Sequence, residues 1–177
     1  WQQLNVDLMS FGAHKFYGPK GVGGLVVRKS VRLIPQHTGG SQENALRAGT
    51  ENVSLIVGMS TAYEIACQNR KKTNEHLVVL RNQIIEEVLS NIPGSHLTGH
   101  PEKRLPNHAS FVFEGVIGQD LVIGLDMAGF AVSSGSACKV GNPSASQILL
   151  AIGIPEDLAR GALRVTVGRY TTEKQVR

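Results

Sequence analysis

Apolar residues in this chain fall into short runs and helical stripes, and glycine-rich segments separate them. Residues 6–11 and 22–27 are short apolar runs, each predicting a buried strand. A polar connection from Gly12 to Gly21 divides them, which suits a sheet inside an α/β domain. A second glycine-rich loop covers 37–50. From 53 to 92 apolar positions recur at helical intervals, as at Leu77, Leu80, Ile84 and Val88, until Pro93 and Gly94 end the pattern. That stretch is long for one helix, so a break is expected at 69–74, where Arg70, Lys71 and Lys72 form a basic run. The same run marks the predicted boundary between two domains, 1–70 and 71–177.

Beyond the boundary, a strand is predicted at 110–113 and a helix at 119–127, with Leu121 and Leu125 on one face. Gly129 stands in the usual C-terminal capping place. Residues 130–133 predict a short strand, 146–152 a small amphipathic helix closed by Gly153, and 163–167 a last strand. Pro155 opens another helix, and Thr172 with Gln175 reads as a capping box. Strands and helices mixed in this way indicate a small α+β domain. The chain starts at Trp1 and stops at Arg177 within patterned sequence, so a piece of a longer protein is expected.

Composition narrows the function classes. Hydrophobic residues at 41% and charged residues at 18% are those of an ordinary globular protein. The net charge of +4 comes from dispersed Lys and Arg, a pattern of solvated surface rather than of nucleic-acid binding. No run is apolar enough to predict a membrane span, and no secretory signal is visible. The two cysteines, Cys67 and Cys138, lie in different settings, so neither a disulfide framework nor a metal site is expected. Cys67 belongs to a helical run and predicts a small core or boundary residue. A reducing, cytoplasmic compartment fits this usage.

Three segments carry candidate chemistry, and a fourth carries a candidate ligand. Lys15 follows a predicted strand within a loop flanked by Gly12 and Gly18, where an amine could bind a carbonyl cofactor as a Schiff base. A lone lysine in such a place is ordinarily a surface residue. Gly18-Pro19-Lys20-Gly21 does not match a phosphate-cradling Walker loop, because Val22 and Gly23 follow it. The polar loop with Gly39, Gly40, Ser41, Gln42 and Glu43, then Arg47 to Thr50, is by itself a turn. Cys138 ends the run Ser133-Ser134-Gly135-Ser136-Ala137, a small-residue loop in which a thiol would be accessible and mobile. Arg164 stands in an alternating strand, by default facing solvent.

Taken together, these segments resemble the cysteine desulfurases of the class-V aminotransferase group. The segment from Ser10 to Gly23 is similar to that family's cofactor-lysine segment, and Ser133 to Cys138 to its nucleophile loop. The resemblance implies the α/β fold of fold-type-I pyridoxal-phosphate enzymes, represented by the end of the large domain and a small C-terminal α+β domain. It implies pyridoxal 5'-phosphate held by Lys15, with His14 at the phosphate. Gly12 stands where the family commonly has Ser and offers only its backbone N–H. In the family's homodimers, the residue matching Thr50 reaches the other subunit's cofactor phosphate. Arg164 matches the arginine that pairs with the substrate α-carboxylate, for which a guanidinium fork is suited.

The implied reaction turns L-cysteine into L-alanine and leaves a persulfide on Cys138. An iron–sulfur scaffold or another sulfur acceptor then receives that sulfur. The family's ring-stacking residue and the Asp facing the pyridine nitrogen would lie upstream of Trp1. Two alternatives remain open: a selenocysteine lyase of the same family, and a catalytically silent fragment or binding module.

Overall fold

The computed structural model describes residues 2–134 and 145–177, so Cys138 lies outside the described residues. Two units emerge, Trp1–Arg70 and Lys71–Arg177.

In the first unit, strands β1 (Leu8–Gly12) and β2 (Gly23–Val27) pair antiparallel, from Leu8 opposite Val27 to Gly12 opposite Gly23. Leu8, Phe11 and Leu25 are exposed, contrary to the predicted burial of both strands. Two strands alone present both faces of a ribbon, and no third strand pairs with them among the described residues. Helix α1 (Val53–Asn91) begins in this unit. Asn52 caps it: its Oδ1 accepts from the Leu55 N–H (3.2 Å) and from Ser54 Oγ (2.9 Å). Such a cap contributes about 1 kcal/mol.

The predicted break at 69–74 is absent, and α1 runs unbroken for 39 residues. Gln68, Arg70, Lys71 and Lys72 are strong helix formers, so a basic, solvated stretch carries the helix forward. Two local bonds reinforce it, Gln68 Nε2 to Glu64 Oε1 (3.1 Å) and Asn69 Nδ2 to the Ile65 carbonyl (2.9 Å). Cys67 is exposed on this helix and is not a core residue. Its thiol lies beside Tyr63, one turn earlier, and pushes the Tyr63 hydroxyl above its ordinary pKa.

The second unit is built on an antiparallel sheet in the order β3 (Ser95–Leu97), β4 (His108–Phe113), β5 (Ala162–Thr166). Alternation along β4 feeds two cores. Ala109, Phe111 and Phe113 join Leu163, Ile84, Ile85 and Val88 of α1, and Leu121, Val122 and Leu125 of α2 (Gly118–Met127). Val112 and Ala162 on the opposite face meet Ala145, Leu149 of α3 (Gln147–Ala151) and Ala159 of α4 (Glu156–Ala159). At the end of α2, Gly129 adopts φ +89°, a left-handed conformation that glycine takes without strain. The last helix, α5 (Glu173–Val176), carries the predicted capping box of Thr172 and Gln175.

The predicted strand at 130–133 reduces to a single bridge, Ser133 opposite Arg164. The Phe130 N–H turns back to the Leu125 carbonyl (2.8 Å), so the chain leaves α2 still tied to it and reaches β5 only at Ser133. Strand β3 escapes sequence reading, since Ser95, His96 and Leu97 include one apolar residue and no alternation.

Candidate active site

Gly12 ends β1 in an extended conformation, and residues Ala13–Phe16 wind into a 3-10 turn. Its three-residue period puts Ala13 and Phe16 on one side. Ala13 is fully buried, its N–H donating to the Val22 carbonyl (3.0 Å) and its carbonyl accepting from the Gly18 N–H (2.9 Å). The Phe16 ring lies 6.3 Å from that of Phe11 and 6.0 Å from that of Tyr63 on α1. These anchors leave His14 and Lys15 side by side and exposed. A Cβ at Gly18 would stand 2.9 Å from the Ala13 carbonyl oxygen, so a larger residue would disturb the anchor. Tyr17 closes the turn at φ +68°, a strained conformation for an aromatic residue that the sequence reading did not anticipate.

The position of Gly12 has a physical consequence. A Cβ there would fall 3.1 Å from His14 Cε1 and 3.2 Å from Nδ1, so the exposed imidazole would have to shift by a few tenths of an ångström to admit a serine. Among the described residues, neither His14 nor Lys15 takes part in a salt bridge. An amine for a carbonyl, an imidazole for a phosphate and a glycine that admits the ring together fit a phosphate-bearing aldehyde.

Thr50 is exposed on a separate connection of the same unit, two residues before the α1 cap Asn52. That connection is pinned by the Ala48 N–H on the His37 carbonyl (3.2 Å) and the Gly49 N–H on Gln42 Oε1 (3.1 Å). Within it Glu43, Asn44 and Ala45 hold φ values of +51°, +57° and +62°. Left-handed backbone costs about 1–2 kcal/mol at each such residue, a cost not readable from the sequence.

Arg164 belongs to the second unit and is half-buried on β5, opposite Ser110. Its backbone exchanges two hydrogen bonds with Ser133, donating at 2.6 Å and accepting at 3.2 Å. The arginine is thus tied to the residue that opens the sequence Ser133 to Cys138. The structure brings Gly12, His14 and Lys15 into one corner and places Thr50 and Arg164 on other elements. Arg104 and His108, near Arg164, had no signal in the sequence.

The family model described as aminotransferase class-V matches residues 1–177. The chain belongs to that family. A cysteine desulfurase IscS of Dictyoglomus turgidum is 47% identical over 174 residues, covering 98% of this chain and 44% of the relative. Cysteine desulfurase NifS of Azotobacter vinelandii is 38% identical over 172 residues, covering 97% and 43%. Among solved structures, a NifS-like protein matches at TM-score 0.85 and 36% identity, over 99% of this chain and 44% of that one. A NifS-like protein from Rickettsia africae matches at TM-score 0.87 and 26% identity, over 99% and 46%. The chain therefore spans less than half the length of these relatives. Its fold is that of the α/β, fold-type-I members of the class-V family. SspA, described in complex with cysteine, also matches, at TM-score 0.65 and 27% identity over 97% of this chain and 46% of that one. Among the described residues, no helix is long and apolar enough to cross a membrane.

Proposed function

We propose that the protein carrying this chain is a pyridoxal-phosphate-dependent cysteine desulfurase acting in the cytoplasm as a homodimer. The observation that carries this reading is the paired exposure of His14 and Lys15 at the end of β1, in a chain that also contains Ser133 to Cys138. Identities of 38–47% to proteins named cysteine desulfurase support the substrate class.

Lys15 would hold the cofactor through its aldehyde and would move the proton at the substrate α-carbon. His14 and the Gly12 N–H would hold the phosphate, and Thr50 would reach the phosphate bound to the other subunit. Arg164 grips the α-carboxylate and fixes the orientation of the amino acid. When bound, the cofactor supplies the electron sink that weakens the bonds at the substrate α-carbon. The Cys138 thiolate then attacks the substrate sulfur. The carbon–sulfur bond breaks, a sulfur–sulfur bond forms, and the carbon skeleton takes up a proton and leaves as L-alanine. The Cys138 persulfide carries the sulfur to an acceptor such as an iron–sulfur scaffold protein. The same residues would suit a selenocysteine lyase, so the two substrates belong in one assay.

In the full-length enzyme, L-alanine release from L-cysteine is expected to be abolished by Cys138→Ser and retained by Cys67→Ser. Retained cysteine turnover in Cys138→Ser would overturn Cys138 as the sulfur acceptor. Persistence on selenocysteine alone would point to the lyase.

A further inference from the structure

The first half of α1 packs against the chain on both sides of Lys15. Between 53 and 70 the half-buried residues are Leu55, Gly58, Met59, Ala62 and Ala66, and the rest are exposed. Their spacing puts them on one face of the helix. Contact with the Lys15 segment is made at three places. Leu55 Cδ1 lies 3.7 Å from where a Cβ on Gly21 would stand. Pro19 Cγ and Cδ lie 3.2 and 3.5 Å from where a Cβ on Gly58 would stand. The Tyr63 ring, at the margin of that face, meets the Phe16 ring edge-on, with centroids 6.0 Å apart and planes at 76°.

Each contact has a physical reason. Glycine is the poorest helix former after proline, yet Gly58 sits in the interior of α1. Its missing side chain is what lets Pro19 approach so closely. The Tyr63 and Phe16 rings hold the edge-to-face arrangement that aromatic pairs prefer. At the base of the turn, the Ala13 carbonyl accepts from the N–H groups of both Tyr17 and Gly18. Supports at residues 13, 16, 19 and 21 thus bracket Lys15, whose side chain takes part in no salt bridge among the described residues. The backbone of the turn aims the amine, and α1 holds that backbone in place.

We infer that Gly58 and Tyr63 are positioning residues for Lys15, acting through Pro19 and Phe16, and that they set how fast its amine meets the aldehyde of pyridoxal 5'-phosphate. In that step the Lys15 nitrogen forms a double bond to the aldehyde carbon, and the aldehyde oxygen leaves as water with the two amine protons. The inference rests on the cofactor reading above. An amine held in its reacting orientation has less freedom to lose, and a misplacement of about 1 Å can cost about 10²-fold.

The test uses the full-length protein freed of cofactor. It is mixed with pyridoxal 5'-phosphate and quenched at intervals with borohydride, and the Lys15 peptide is weighed. Capture at Lys15 is expected to slow by about tenfold in Tyr63→Leu, which removes the ring, and by about threefold in Gly58→Ala, which makes Pro19 give by a few tenths of an ångström. Tyr63→Phe keeps the ring and is expected to capture at the unaltered rate. Gly58→Ala gains helix propensity, so it is expected to melt no lower than the unaltered protein while capturing more slowly. A residue serving only the fold would move both readings the same way. Unchanged capture in either variant that folds, or equal slowing in Tyr63→Phe and Tyr63→Leu, would overturn the inference. Absence of capture at Lys15 in the unaltered protein would overturn the cofactor reading, and this inference with it.

Discussion

Lys15→Ala in the full-length enzyme is expected to lower L-alanine release from L-cysteine by roughly 10²–10⁴-fold, the range for loss of a positioned proton-transfer group. Loss of the covalent hold on the cofactor places the effect toward the upper end. Stability is expected to change little, within about 0.5 kcal/mol, as for exposed positions generally. Ala13 and Phe16 anchor the 3-10 turn, while Lys15 projects from it and takes part in no salt bridge among the described residues. Activity and unfolding midpoint should therefore separate. The variant loses turnover but melts with the unaltered protein. Lys15→Arg is expected to be equally inactive, because it keeps the charge and lacks an amine that can bond a carbonyl. A Lys15→Arg enzyme with near-normal turnover would show that Lys15 acts only as a cation.

Phe111→Ala is expected to have the largest effect on folding. Phe111 is fully buried on the central strand and lies in the cluster with Ile84, Ile85 and Val88 of α1 and Leu121, Val122 and Leu125 of α2. Truncating such a ring leaves a cavity and costs about 3–5 kcal/mol. Whole domains are stable by only about 5–15 kcal/mol, so the second unit would become marginal. Urea denaturation of the full-length protein should show a lowered midpoint for the transition that reports on this unit. Phe111 also pairs with Leu163, the residue before Arg164, so the register that positions the arginine depends on the same packing. A midpoint shifted by less than about 1 kcal/mol would mean that the site collapses around the smaller side chain.

What the sequence revealed depended on how local the signal was. The capping box of Thr172 and Gln175 and the glycine at 129 are contained within a few residues, and such signals survive tertiary context. The helix from Val53 was legible by its period, yet its continuity was not. Arg70, Lys71 and Lys72 look like a linker by charge and behave as helix formers by propensity. Strand β3 is three residues long and is held by its pairing with β4 rather than by its own pattern.

The candidate site divides along the same line. His14 and Lys15 could be picked out because neighbouring motif residues surround them, and Cys138 because of the small residues before it. The nearness of His108 to Arg104 and Arg164 could not, since it comes from the pairing of β4 with β5 and the turn that carries Arg104 back to Thr98. The closeness of Gly12 to the His14 ring is not readable from the sequence.

The central claim, that Cys138 receives the substrate sulfur, is tested most directly by mapping Cys67 and Cys138 after reaction with L-cysteine. Peptides from the full-length enzyme, alkylated without reductant, are weighed with and without substrate. The account predicts one added sulfur atom on the Cys138 peptide and none on the Cys67 peptide, in step with L-alanine released. Added sulfur on Cys67 alone, or L-alanine released while Cys138 stays unmodified, would contradict it.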